Sequence, residues 1–226
     1  MVASSHPLAT QIGIDVLKKG GNAIDAAIAV NAALGLMEPT GCGIGGDLFA
    51  IVWDPKTKKL HGLNASGPSP QTLSLDFFLE NNYEVIPYYG ALSVSVPGAV
   101  AGWYALHDKF GNLTMDQILS PAIHYAENGF PLTELIAYYM QRSVQRFMKA
   151  DYPNIKETYM QPNGGKLPSE GEIFKNPLLA QTYKTIAKKG KQGFYNGKVA
   201  SAISEEVLKQ GGFLTTAGLS SYEVEW

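Results

Sequence analysis

Residues 23–37 offer an α-helix almost no polar face. Ile24, Ala27, Ile28, Ala32, Leu34 and Leu36 recur at helical spacing, and alanine fills most of the other directions, so other elements have to enclose this segment. Asp25 and Asn31 interrupt the apolar run, which falls short of the roughly 20 residues a bilayer span needs. The reading is therefore a buried helix of a folded domain. Asn22 supplies an N-cap and Pro39 a stop. At 226 residues the chain is long enough to surround such a helix with a sizeable core.

Composition narrows the function classes. Lys and Arg number 18 against 20 Asp and Glu, a net charge of −2, so there is no basic surplus to neutralise a phosphate backbone and nucleic acid is not an expected partner. Cys42 is the lone cysteine, which excludes an intramolecular disulfide framework and a multi-cysteine zinc site. His6, His61, His107 and His124 have no spacing that would place two on one helix face, so neither a metal nor another cofactor is expected. The opening MVASSHPLAT lacks the charged and apolar regions of an export signal. A chain starting at Met1 is expected to be cytoplasmic, and an extracytoplasmic location would follow from trimming of a longer precursor.

Pro7 opens a first helix that stops at Gly20-Gly21, ahead of the buried helix. The glycine cluster Gly41, Gly43, Gly45 and Gly46 leads into Leu48–Trp53, read as a buried strand, with Asp54-Pro55 turning to an antiparallel partner over Lys59–Asn64. A short helix is expected over Leu73–Leu79 and a third strand over Leu92–Val96. Helices follow over Gly98–Phe110, from Thr114 through Ala126, and over Thr133–Met148 with Leu135, Ile136, Tyr139 and Met140 on its apolar side. The Pro- and Gly-rich stretch 151–177 reads as a mobile surface excursion within one partial domain spanning 1–226. Two amphipathic helices, Leu178–Lys189 and Val199–Lys209, precede a short one over Ala217–Tyr222, after which Tyr222–Trp226 alternates like a strand. Three strands make a small sheet for so many helices, so a partner segment is expected to complete it.

Most local motifs have an ordinary structural reading. Gly41–Gly46 satisfies G-x-G-x-x-G, but a helix leads in and a strand leads out, the reverse of a dinucleotide site, so close backbone packing or a ligand-approach loop explains it better. Cys42 would need a base such as His6 beside it to act as a nucleophile, and a small buried or half-buried thiol is the stronger reading. No Gly-x-Ser-x-Gly elbow anchors a Ser-His-Asp triad. Arg142 and Arg146, the only arginines, share a helix face that could grip a carboxylate, though a solvated surface accounts for them.

Longer blocks carry more. Met1–Thr10, Leu17-Lys-Lys-Gly-Gly-Asn-Ala-Ile-Asp-Ala-Ala-Ile-Ala29, Gly43–Phe49, Ser95-Val-Pro-Gly-Ala-Val-Ala-Gly102, Gly193-Phe-Tyr195, Gly211-Gly212 and Leu219–Glu223 occur in the order and spacing of the large subunit of the gamma-glutamyltransferase family, which the chain resembles over nearly its whole length. The resemblance implies an α+β fold, the four-layer α-β-β-α sandwich of N-terminal nucleophile hydrolases, with only part of it in this chain. It also implies a precursor that cuts itself, freeing a threonine on the small subunit whose own amine serves as base. That threonine lies downstream in the family, so Thr215-Thr216 is not the nucleophile and no catalytic residue is expected here. The expected partners are the small subunit and a small-molecule amide or gamma-glutamyl substrate.

One position bears on that substrate. Where gamma-glutamyltransferases carry Arg-Glu-x-Ala-Pro, whose arginine clamps the donor carboxylate, this chain reads Asn64-Ala-Ser-Gly-Pro68. A neutral amide cannot supply the bidentate charged pair, worth about 1.5–3 kcal/mol per hydrogen bond. Glutathione is therefore not the expected preferred substrate, and an amide or acyl compound such as cephalosporin-acylase-like or oxamate-amidohydrolase-like relatives use gains weight. Asn64 and Ser66 are the candidate substrate-binding residues, with a structural turn before Pro68 as the equal alternative. An alternative of another class, a non-catalytic scaffold or binding protein lacking the small subunit, is told apart by the coding sequence beyond Trp226.

Overall fold

The computed structural model describes residues 1–226 except Asp151 and Pro153. The chain divides into two compact units, one formed by residues 1–43 and 107–188, the other by residues 44–106 and 189–226.

In the first unit, α1 (Pro7–Lys18) and α2 (Ala23–Met37) form a helical hairpin, and α5 (Met115–Asn128) packs on α2. Ile28, Ala29, Ala32, Ala33, Leu36 and Met37 of α2 are buried, but Ala27 is exposed and Ile24 and Leu34 are half-buried, so the described residues do not give the helix the all-round enclosure that its apolar character predicts. Asn22 caps α2 as expected: its Oδ1 accepts from the N–H groups of Ile24 (2.8 Å) and Asp25 (3.1 Å), while Asp25 Oδ2 accepts from Asn22 N–H (2.9 Å), closing a reciprocal box. Asp25 does more than cap. Fully buried, its carboxylate also accepts from the N–H groups of Asn112 (3.0 Å) and Leu113 (3.2 Å), and Asn22 Nδ2 donates to the Phe110 carbonyl (2.6 Å). The Gly-Gly-Asn-Ala-Ile-Asp block is thus a knot tying the start of α2 to the segment that enters α5.

The remainder of this unit contains α6 (Glu134–Lys149), α7 (Pro177–Lys189) and a two-residue antiparallel pairing of β3 (Phe130–Pro131) with β4 (Ile173–Phe174). The apolar face of α6 is made by Ile136, Ala137, Met140 and Val144, whereas Leu135 and Tyr139 are exposed, one step round the helix from the expected stripe. Within 151–177, Asp151 and Pro153 lie outside the described residues. The described part contains short helical turns at Lys156–Met160 and Gln161–Asn163, and its end returns to the core, where Phe174 is buried edge-on against Phe130.

The second unit is built on the hairpin of β1 (Leu48–Asp54) and β2 (Lys59–Ala65), antiparallel from Leu48 opposite Ala65 to Asp54 opposite Lys59. Asp54 accepts from the Lys56 N–H (2.9 Å) and the Thr57 hydroxyl (2.7 Å), and so makes the turn. Two expectations are corrected here. β1 is not buried: Phe49, Ile51 and Trp53, 59–78% exposed, line one face, because a strand apolar on both faces needs cover on both and the described residues cover one. Leu92–Val96 is not a strand either. Residues Ala91–Ser93 form a 3-10 turn, and Val96 N–H reaches the Pro68 carbonyl at 3.0 Å; Pro68 and Pro70 have no N–H with which to continue a ladder.

Helices α3 (Leu75–Glu80), α4 (Ala99–Phe110, running on into the first unit), α8 (Gln192–Tyr195), α9 (Gly197–Lys209) and α10 (Thr216–Ser220) complete the set. The expected strand character at the end of the chain is present as a single bridge, Asn64 to Glu225, with N–H···O distances of 2.8 and 2.9 Å in the two directions. Among the described residues no helix is long and apolar enough to cross a membrane. Replacing Asp25 by Ala, which strands the amides of Asn22, Asn112 and Leu113, is expected to lower stability by about 3 kcal/mol or more, read as a fall in the unfolding midpoint of the protein.

Candidate functional site

The end of β2 is shaped by two backbone approaches that only glycine permits. A Cβ on Gly67 would lie 1.6 Å from the Val96 carbonyl oxygen, and one on Gly98 would lie 1.8 Å from that of Ala65. Residues 65–67 and 96–98 therefore run against each other without intervening side chains. Gly98 and Ala99 N–H groups both donate to the Gly46 carbonyl (2.9 Å), which draws in the glycine loop ahead of β1. Close packing is confined to that carbonyl: Gly41, Gly43 and Gly45 are exposed, and a Cβ on any of them would meet no neighbouring atom, so the packing read from the loop's composition is not what these three glycines provide.

Tyr195 locks this junction. Its buried hydroxyl donates to the Pro97 carbonyl (2.6 Å) and accepts from Ala101 N–H (3.1 Å), fixing the entry into α4. Burial pushes its pKa far above the ordinary tyrosine value, so the hydroxyl keeps its proton as a structural donor. Tyr222 lies against Tyr195, ring centroids 5.9 Å apart, and Lys191 Nζ contacts the Tyr222 carbonyl (2.9 Å) and the Glu223 carboxylate (3.1 Å).

Against these elements lies a cleft of about 470 Å³, lined among others by Asn64, Ser66, Gly67, Val96, Tyr222 and Glu225. It is of a size that suits a small ligand. Both candidate substrate-binding residues, Asn64 and Ser66, are in its wall. Asn64 Oδ1 accepts from Ser66 N–H (2.9 Å), so the turn before Pro68 exists, and Asn64 Nδ2 reaches towards Glu225 Oε2 at 3.5 Å. The turn uses the amide oxygen and leaves the amide nitrogen directed at a carboxylate. The sequence does not mark Tyr222, Tyr195 or Glu225 as site residues; the Gly193-Phe-Tyr195 and Leu219–Glu223 blocks are the signal it carries.

The other sequence candidates lie elsewhere. Thr215 is the N-cap of α10, its hydroxyl accepting from Gly218 N–H (3.1 Å). Cys42 is half-buried after α2, and burial with the nearby Glu38 carboxylate pushes its thiol pKa up, the opposite of nucleophile activation. Arg142 donates to the Tyr138 hydroxyl (2.9 Å) on the exposed side of α6. His6 caps α1 through Nδ1, accepting from Leu8 N–H at 3.3 Å. Among the described residues no group of three or more His, Cys, Asp or Glu side chains is arranged to hold a metal ion.

Solved structures share this architecture over the whole chain. Gamma-glutamyltranspeptidase from Helicobacter pylori superposes with a TM-score of 0.93 at 36% identity, covering 100% of this chain and 64% of that one. Cephalosporin acylase from Bacillus halodurans gives 0.92 at 41% identity, covering 100% and 42% respectively. The fold is that of the α+β N-terminal nucleophile hydrolases, of which this chain carries a part. It belongs to the gamma-glutamyltranspeptidase family, whose model matches residues 9–226. The glutathione hydrolase proenzyme of Bacillus subtilis (strain 168) is 39% identical over 228 residues, covering 99% of this chain and 38% of that protein, so the chain spans well under half of that relative's length.

His6 gives this unit a predictable response to acid. Burial lowers its pKa below 6.5, against the opposing pull of Glu38, so the neutral ring is favoured in the folded state. That contribution to stability is present above the unfolded pKa near 6.5 and is lost as pH falls towards the folded pKa. The unfolding midpoint should therefore drop as pH falls through the unfolded value of 6.5, and His6→Asn, a cap that does not titrate, should flatten that part of the profile.

Proposed function

We propose that this chain is the large-subunit portion of a self-processing amide hydrolase or acyltransferase whose nucleophile is a threonine on a partner portion. The observation that carries the reading is family membership over residues 9–226, together with relatives that are proenzymes longer than this chain. In the proposed cycle the freed threonine's hydroxyl, deprotonated by its own amine, attacks a substrate amide; the C–N bond breaks, the amine leaves with that proton, and the resulting acyl ester is passed to water or an acceptor amine, regenerating the hydroxyl. Oxyanion stabilisation falls to the partner portion, so this portion alone is inactive. Its own contribution is the helical scaffold, the β1–β2 hairpin and one wall of the acyl pocket at the end of β2.

Two features support this division. The exposed row Phe49, Ile51 and Trp53 is the face a partner layer would cover, and burying such side chains contributes about 1.5–3 kcal/mol each. The cleft wall at Asn64 lacks the arginine that clamps a donor carboxylate, which points away from glutathione and towards another amide or acyl donor. The similarity to the cephalosporin acylase of Bacillus halodurans supports that direction.

The full-length precursor, incubated alone, should split into two fragments on a denaturing gel, with threonine at the new N-terminus by sequencing. An uncut single chain would contradict the reading. Hydrolysis of a gamma-glutamyl anilide by the processed protein should be weak, and Asn64→Arg should raise its kcat/KM by about tenfold or more, the equivalent of one charged hydrogen bond. Robust turnover before that substitution would overturn the role given to Asn64.

A further inference from the structure

The cleft at the end of β2 is electrostatically one-sided. Its lining contains the carboxylates of Glu223 and Glu225 and no lysine, arginine or histidine. Asp47 stands at its edge, where Oδ1 accepts from Gly67 N–H (3.3 Å). The nearby cation, Lys191, is engaged by Glu223 and the Tyr222 carbonyl, and among the described residues Glu225 forms no ion pair. Glu225 is also held in place: its backbone is bridged to Asn64 in both directions, so its carboxylate is presented from a fixed position beside the Asn64 amide.

A second, independent feature marks the place. Tyr222 is only 5% exposed, and its hydroxyl has no hydrogen-bond partner among the described residues. A buried hydroxyl left unsatisfied is costly, and a ligand is one way to satisfy it. The carboxylates of Asp47, Glu225 and Glu223 all act on this hydroxyl and, after burial itself, raise its pKa, so it stands as a neutral group within their field.

Building on the proposed acyl-transfer role, we infer that this cleft is a subsite for a positively charged amino group of the substrate, taken by the Glu225 carboxylate and the Tyr222 hydroxyl beside Asn64. The preferred acyl donors then carry an ammonium with no carboxylate next to it. A donor carboxylate placed here would meet Glu225 and Asp47, with no cation among the described lining residues to receive it, whereas an ammonium supplies donors to groups that can only accept or that lack a partner.

Three chromogenic anilides that differ only in the acyl end separate the contributions: 4-aminobutyryl (ammonium only), glutaryl (carboxylate only) and gamma-glutamyl (both). With the processed full-length protein, kcat/KM for the 4-aminobutyryl anilide should exceed that for the glutaryl anilide by about tenfold or more, with the gamma-glutamyl anilide between them. Glu225→Gln, which keeps shape and backbone bridge, should cut that ratio about tenfold, and Tyr222→Phe should raise KM for the 4-aminobutyryl anilide about threefold while leaving the glutaryl value unchanged. A preference for glutaryl, or a ratio unmoved by both substitutions, would overturn the subsite. Release from none of the three by a protein that has cleaved itself would do the same, whereas a precursor that neither cleaves nor releases anilide would overturn the enzymatic reading on which the subsite rests.

Discussion

The arrangement at the end of β2 depends on two stretches of backbone touching without side chains between them. Gly67 against the Val96 carbonyl and Gly98 against the Ala65 carbonyl leave no room for a Cβ, and any larger residue would have to push main chain aside. From that contact follow the position of the Asn64–Ser66 turn, the entry into α4 held by Tyr195, and the cleft beside Glu225. The Asp25 knot does the corresponding work in the other unit, where one buried carboxylate collects backbone amides from two segments far apart in sequence. In both units a short local motif proves to be a long-range tie.

The helices were legible because their signals are local. Pro7, Asn22, Thr114 and the glycines after the first and last long helices act within one turn, and the observed bounds fall within a few residues of the expected ones. What failed was information held by distant partners. The alternation in Leu92–Val96 has the period of a strand, but its neighbour is the proline-bearing segment 68–70, which cannot complete a ladder. The two-residue pairing of Phe130–Pro131 with Ile173–Phe174 is too short for any periodic signal. β1 was recognised as a strand, yet whether its second face is covered is not encoded in its own residues.

The site divides the same way. Asn64 and Ser66 could be singled out only through the resemblance, which sets them against an expected charged clamp, and the structure puts both in one cleft wall. Glu225 and Tyr222 could not, since the bridge that brings Glu225 to Asn64 spans most of the chain and an unsatisfied hydroxyl is a property of packing. Their presence bears on the proposed substrate: on that proposal a neutral amide at residue 64 removes an attraction for a carboxylate, and the Glu225 carboxylate beside it reverses the sign of the field.

The central claim is that this portion shapes and selects while the reacting oxygen belongs to its partner portion. Intact-mass analysis of the processed protein after trapping with a slowly released acyl donor tests it most directly. The account predicts that the added acyl mass appears on the fragment beginning with threonine and is absent from the fragment containing residues 1–226. Acyl mass on the latter, at Cys42, Thr215 or Thr216, would contradict it.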